Sequence, residues 1–302
     1  MNASRRNFLK KSTVALAGVT LLPDSLMSFP LKKEITGIQL YSVRDEMKAD
    51  PLGTLKLLAE MGYRYVEHAN YKERKFYGFS ASEFKKILND LNMKMLSGHT
   101  VMRKQHWDET KKDFTDEWKY TVEDAATVGQ QFVISPSIEE SFRTSYDDLK
   151  GFMDVFNRCG ELCKKSGMQF GYHNHDFEFS QKLNERSMYD IILDSTDPKL
   201  VIQQLDTGNL FNGGATALDI VTKFPGRFAS MHVKDEILSS GSNEKYESTV
   251  LGTGVAQVKK VIDIGRKSGG TVHFIIEQEA YQGKSPIVCA KENLSQMKAW
   301  GY

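Results

Sequence analysis

From Ile35 to the C-terminus the chain alternates eight times between a short run rich in Val, Ile, Phe and Tyr and a longer segment of helical period. Such alternation predicts βαβ units around a parallel sheet. Strands are expected at Ile35 to Tyr41, Tyr65 to His68, Lys94 to His99, Phe132 to Ser135, Gln169 to Asn174, Val201 to Asp206, Phe228 to Lys234 and His273 to Glu277. Helices are expected near 51–61, 80–91, 113–128, 145–166, 187–194, 215–223, 255–268 and 288–299. Gly62, Gly167 and Gly269 each stand just past a helical pattern, the usual place for a C-capping residue. Eight repeats in about 270 residues fit a closed barrel better than an open doubly wound sheet. No Gly-x-Gly-x-x-Gly follows the first strand to hold a dinucleotide. The expected fold class is therefore α/β, a single (β/α)8 TIM-barrel domain over 31–302.

Residues 1–30 are expected to lie outside that barrel. Ser4-Arg5-Arg6-Asn7-Phe8-Leu9-Lys10 reads as a twin-arginine export motif, and the apolar run Val14 to Leu22 follows it. That run is roughly half of what a membrane-spanning helix needs, so a signal peptide and a periplasmic destination are expected, with no stable membrane anchor. The 40 Lys+Arg and 39 Asp+Glu leave a net charge of +1, with no basic run beyond the N-terminus to attract nucleic acid. A small neutral or weakly charged substrate is the easier expectation. Cys159 and Cys163 stand four apart on an expected helix, where burial is the expected role, and Cys289 completes no metal or disulfide pattern.

Barrel enzymes build their sites where strands end. Here those ends carry Glu67-His68, His99, His173-Asn174-His175, Asp206, His232-Val233-Lys234-Asp235 and Glu277-Gln278-Glu279, which include five of the seven histidines. Asp206, His232 and Glu277 end three consecutive strands and can converge on one divalent ion. A mixed oxygen and nitrogen set suits Mn, Zn, Fe or Co better than Ca.

These strand ends stand in a set of stretches that resembles the xylose isomerase-like superfamily of sugar isomerases and epimerases over about residues 35 to 300. The stretches are Ile38-Gln39-Leu40-Tyr41-Ser42, Met61 to Glu67, Tyr172 to Phe179, Leu205-Asp206-Thr207-Gly208-Asn209, Arg227-Phe228 with Met231 to Asp235, Gly252-Thr253-Gly254 and Ile275 to Gln278. The resemblance implies that Asp206, His232 and Glu277 bind the metal, with a fourth ligand from the end of strand five. His173 stands there, where the family's best-known epimerases have a glutamate. A metal-bound imidazole does not readily serve as a second proton-shuttling base. The strand-five motif looks more like inosose dehydratases and relatives that act on keto-sugars or oxidised glycosides.

The implied activity is metal-dependent isomerisation or epimerisation of a sugar or keto-sugar, with a lyase cleaving an oxidised (3-keto) glycoside by β-elimination as the alternative. Glu277 is the expected general base, and His175 or Lys234 the partner acid. Glu67, His68, His99, Tyr41 and Tyr246 are expected near the substrate, with Trp107 as a further flat surface. The loop 238–250 is long for a barrel connection and reads as a lid. Two other readings remain: an endonuclease-type barrel, which needs more metal ligands and a basic surface, and a carbohydrate-binding barrel without chemistry.

Overall fold

The computed structural model describes residues 35–241 and 244–302; the expected export segment lies outside the described residues. Eight parallel strands close a barrel in chain order: β1 (Ile35–Gln39), β2 (Tyr65–His68), β3 (Lys94–His99), β4 (Phe132–Ser135), β5 (Gln169–His173), β6 (Val201–Asp206), β7 (Ser230–Val233) and β8 (His273–Ile276). β8 returns to β1 through Ile35↔His273 to Ile38↔Ile276. The outer helices are α1 (Pro51–Met61), α2 (Ala81–Asp90), α3 (Asp116–Val128), α4 (Tyr146–Lys165), α5 (Met188–Ser195), α6 (Ala217–Lys223), α7 (Val258–Ile264) and α8 (Pro286–Ala299).

Local signals explain the helix boundaries. Asp50 accepts the Gly53 N–H at 3.0 Å ahead of Pro51, and Gly62, at φ 109°, ends α1. Ser80 and Glu83 form a reciprocal capping box on α2. One expected cap moves by a residue: α7 runs into a π turn over Gly265–Gly269, so Gly270, at φ 81°, ends it instead of Gly269. Strands β1, β5, β7 and β8 also stop before the residues expected to end them, which leaves Tyr41, Asn174, Lys234 and Glu277 just beyond the sheet.

Alternation along each strand divides two environments. On β6, Val201 and Leu205 pack outward against the helical layer, whereas Ile202, Gln204 and Asp206 face the axis. Phe132, Ile134 and Ile202 fill the lower interior, and the upper interior is polar. Cys159 and Cys163 are buried, as expected, with the Trp118 Nε1–H against Cys159 Sγ at 3.0 Å; Cys289 is buried as well.

Part of the segment expected as a loop over 238–250 is strand: Asp235–Leu238 pairs antiparallel with Tyr246–Thr249. Asp235 anchors it to the Gly252-Thr253-Gly254 turn. Its buried carboxylate accepts the N–H groups of Gly252 (2.9 Å), Gly254 (3.0 Å), Ala256 (3.1 Å) and Glu236 (3.0 Å). A Cβ on Gly254 would lie 2.4 Å from Asp235 Oδ1, so a side chain there would collide with this carboxylate. Asp235→Ala is therefore expected to cost roughly 3 kcal/mol in denaturant unfolding, because buried donors lose their acceptor. A loss well under about 1 kcal/mol would show that the turn does not depend on it.

Candidate active site

Strands β5 to β8 bring His173, Asp206, His232 and Glu277 together, all buried, with one donor atom from each lying within 4.8 Å of the others. His232 Nδ1 is 3.1 Å from Glu277 Oε2 and 3.9 Å from Asp206 Oδ2, and His173 Nε2 is 4.0 Å from Asp206 Oδ2. Asp206 Oδ1 accepts the N–H groups of Gly208 (2.8 Å) and Asn209 (2.7 Å), which fixes the carboxylate. Its Oδ2 is buried without a hydrogen-bond partner among the described residues. A buried carboxylate oxygen in that position, facing two imidazole nitrogens and a second carboxylate, fits a divalent cation of borderline softness.

The residues beneath the cluster set its tautomers. Gln204 Oε1 accepts from His173 Nδ1 at 3.1 Å and from His99 Nε2 at 2.7 Å, which leaves the lone pair of His173 on Nε2. Gln204 Nε2 donates to Glu67 Oε2 (2.9 Å) and Ser230 Oγ (3.0 Å). Glu67 Oε1 accepts from Gln39 Nε2 (2.8 Å) and His232 Nε2 (2.5 Å), so His232 offers Nδ1 to the cluster. Burial opposes a charge on His232, but Glu277 and Glu67 outweigh it and raise the imidazole to about 10. His99 stacks on the His232 ring at 5.0 Å, and its Nε2 is taken by Gln204, so the set with Asp206 and Glu277 is the better ion site.

Lys234 stands at the end of β7 with Nζ bonded to Glu279 and to Asn209 Oδ1 (2.8 Å), 3.5 Å from Glu277 Oε2 and 3.9 Å from Asp206 Oδ2. It pairs with Glu279, not with Asp235 or Glu236. Burial disfavours its charge, but Glu279, Asp206 and Glu277 more than offset this and hold its pKa well above the usual lysine range. His175 lies past the end of β5, its ring 5.3 Å from that of His173. Burial, then Lys234, push it down to about 4, so its ring is neutral at physiological pH.

Its backbone is held by Glu178, whose Oε2 accepts the His175 N–H at 2.9 Å while Oε1 accepts from the Tyr172 hydroxyl. Burial raises Glu178 to about 7 despite these bonds. A carboxyl raised in the folded state stabilises the fold below its unfolded pKa, and that contribution is lost as pH rises through about 7. Stability is expected to fall by roughly 3 kcal/mol between about pH 4.5 and 7.5 from this group. Glu178→Gln should flatten that slope in urea melts taken across the range; an unchanged slope would remove Glu178 as its source.

Three cavities surround the mouth. One of about 280 Å³ is lined by His175, Asn209, Lys234, Glu236, Tyr246 and Glu279 among others. A second, of about 680 Å³, is bordered by His99, Tyr71, Arg103, His106 and Tyr120. The third, of about 510 Å³, includes Tyr41, Arg44 and Tyr77. The smallest brings His175, Lys234, Glu236 and Glu279 to one wall.

The structure therefore places Tyr41, His99 and Tyr246 at cavities, but not Glu67 and His68. Glu67 is fully buried below the cluster and engaged by Gln39, Gln204 and His232, so its expected substrate contact is corrected to a positioning role. His68 faces away from the barrel axis, against Phe76 at 4.8 Å and so close to Gly98 that a Cβ there would fall 2.0 Å from its ring. Adjacent strand residues point to opposite faces, so both could not enter the site. Trp107 packs on Phe114 and near Arg158 instead of lining these cavities. The sequence assigned no role to Gln204, Glu236 or Glu178 and gave Glu279 only as a strand-end residue; Gln204, two before Asp206 on one strand, carried a readable signal.

A model of the xylose isomerase-like TIM barrel matches residues 55–300. The chain belongs to that family. Within it, the chain is similar to the inosose dehydratase of Geobacillus thermodenitrificans, 31% identical over 139 residues, 42% of this chain and 46% of that one. It is also similar to the inosose dehydratase of Clostridium beijerinckii, 26% identical over 202 residues, 62% of this chain and 65% of that one. The chain thus spans about half of the first relative's length and just under two thirds of the second's. A sugar phosphate isomerase/epimerase from Parabacteroides distasonis shares the fold with TM-score 0.75 at 23% identity, covering 92% of this chain and 97% of that one. An L-ribulose 3-epimerase aligns with TM-score 0.65 at 12% identity, covering 89% and 94%. These two structural likenesses concern the fold alone.

Proposed function

We propose that this xylose isomerase-like barrel is a metal-dependent enzyme that removes the proton next to the carbonyl of a keto-sugar or keto-polyol, with β-elimination of the neighbouring oxygen substituent as the outcome. The reading rests on the asymmetry of the site. A carboxylate, Glu277, stands at the end of β8 beside the protonated Lys234. At the end of β5 the corresponding place belongs to His173, whose Nδ1 is tied to Gln204. One acceptor and one donor suit a one-way loss of a proton and a leaving group. The dehydratase names of the relatives agree with it.

His173, Asp206, His232 and Glu277 would hold the ion, which when bound supplies Lewis-acid polarisation of the carbonyl and makes the adjacent C–H acidic. Glu277 takes that proton. The electron pair of the broken C–H bond forms the new C=C bond as the C–O bond to the β-substituent breaks. Lys234, oriented by Glu279 and Asn209, gives the departing oxygen its proton. His175, neutral at the cavity wall, is placed to hydrogen-bond the substrate.

Isomerisation or epimerisation is the second reading. It shares the first step and would use His175, at the same cavity, to return a proton to carbon. Metal-reconstituted protein is to be incubated in D2O with 2-keto-myo-inositol, a methyl 3-keto-glucoside and D-fructose, and followed by NMR. Elimination gives an unsaturated ketone. Deuterium uptake with a rearranged or epimerised sugar gives the second reading, and no exchange with any of them overturns both. Export is part of the proposal, carried by Ser4 to Lys10, and is tested by finding the processed chain in the periplasmic fraction.

A further inference from the structure

The small cavity beside the cluster has a charge pattern that the proposed reaction does not require. Its lining contains five carboxylates, Asp176, Glu236, Glu244, Glu247 and Glu279, against one lysine. That cation, Lys234, is already engaged by Glu279 and Asn209. A phosphate or carboxylate on a substrate would enter a field of its own sign with no free cation among the described lining residues to receive it.

One of these carboxylates is built in. Glu236 is 2% exposed, lines the cavity, and its Oε2 has no hydrogen-bond partner among the described residues. Gly208 makes room for it: a Cβ there would lie 2.4 Å from Glu236 Oε1 and 2.8 Å from Lys234 Cγ. A buried carboxylate oxygen left without a partner is costly unless a ligand completes it, and sugar hydroxyls are donors of the right kind. Burial pushes the Glu236 carboxyl up to about 8, which lets it donate as well as accept toward a hydroxyl. Four other carboxylates remain in the lining when it is protonated.

We propose that Glu236 is a specificity-determining residue that hydrogen-bonds a hydroxyl of an uncharged polyhydroxylated ring, and that this cavity rejects phosphorylated and other anionic sugars. The proposal rests on the reading of this mouth as a sugar site, and it narrows the substrate class to neutral keto-sugars and keto-polyols. Glu236 selects among substrates here; proton removal stays with Glu277.

The test is equilibrium binding to metal-loaded protein by calorimetry and saturation-transfer NMR, with 2-keto-myo-inositol, D-fructose and D-fructose 6-phosphate as probes. At least one neutral probe is expected to bind roughly tenfold or more tightly than the phosphate ester. Glu236→Gln should raise the Kd of that neutral probe about tenfold with melting temperature and metal content unchanged, and Glu247→Lys, on the half-exposed hairpin, should narrow the discrimination. Equal or tighter binding of the phosphate ester, an unchanged Kd in Glu236→Gln, or no binding of either neutral probe would overturn the proposal. Discrimination without any C–H exchange in D2O would instead remove the proposed reaction and leave this assignment standing.

Discussion

Glu277→Gln is expected to lower kcat by roughly 10³-fold or more and to weaken metal binding together with it. The proposed mechanism uses the residue twice. Its Oε2 lies 3.1 Å from His232 Nδ1 and 3.5 Å from Lys234 Nζ, so it borders both the proposed ion site and the proposed acid. Burial alone would raise its pKa, but Lys234 and His232 outweigh burial and hold it well below the carboxylate range. It is therefore ionised at neutral pH and ready to accept a proton from an acidified C–H. The amide keeps the shape and removes both the charge and the basicity. Single-turnover measurements at saturating metal separate the two losses: the deficit in C–H exchange should persist when metal occupancy is restored. Full exchange at restored occupancy would take the base role away from Glu277.

Lys234→Met should reduce turnover by roughly 10²- to 10³-fold with KM changed far less. The methionine preserves much of the volume and leaves Glu279, Glu277 and Asp206 facing one another without their cation. The pH profile distinguishes Lys234 from His175 as the acid. Lys234 is held above the usual lysine range, so it stays protonated and kcat should show no loss of acid catalysis between about pH 7 and 9. His175 is pushed down to about 4 and would already have lost its proton there. A kcat that declines steadily upward from about pH 4 to 5 in the parent, and no longer does so in His175→Gln, would reassign the acid.

The barrel was legible because its signals are local and repeated. Alternation of two periods gives eight strands and eight helices, and caps such as Asp50 with Gly62 or Ser80 with Glu83 fix boundaries within a few residues. The clustering of Asp206, His232 and Glu277 followed from strand ends alone, and in the structure their side chains meet. Glu67 and His68 show where strand-end reasoning stops: it gives height along the barrel but not face. Applying the two-residue alternation would have sent one of them outward and identified Gln204 and Ser230 as inward neighbours of Asp206 and His232. The places of Glu236 and Glu279 in the cavity were not readable because they depend on the hairpin after β7 and the loop after β8, whose paths arise from long-range contacts such as Glu279 N–H to Ser248 Oγ at 2.7 Å. The left-handed residue that ends α7 moved from Gly269 to Gly270 because a π turn inserts itself, a feature without a composition signal of its own.

Whether His173, Asp206, His232 and Glu277 hold one catalytic divalent ion is decided by elemental analysis of the purified chain beside Asp206→Asn. Asp206 is the informative position because its Oδ1 is fixed by two backbone N–H groups while its buried Oδ2 lacks a hydrogen-bond partner among the described residues. About one Mn, Zn, Fe or Co per parent chain and a large loss in the variant are expected, with the barrel still folded by circular dichroism. A parent that binds none of these metals after reconstitution, or a variant that binds as much as the parent, would contradict the ion site.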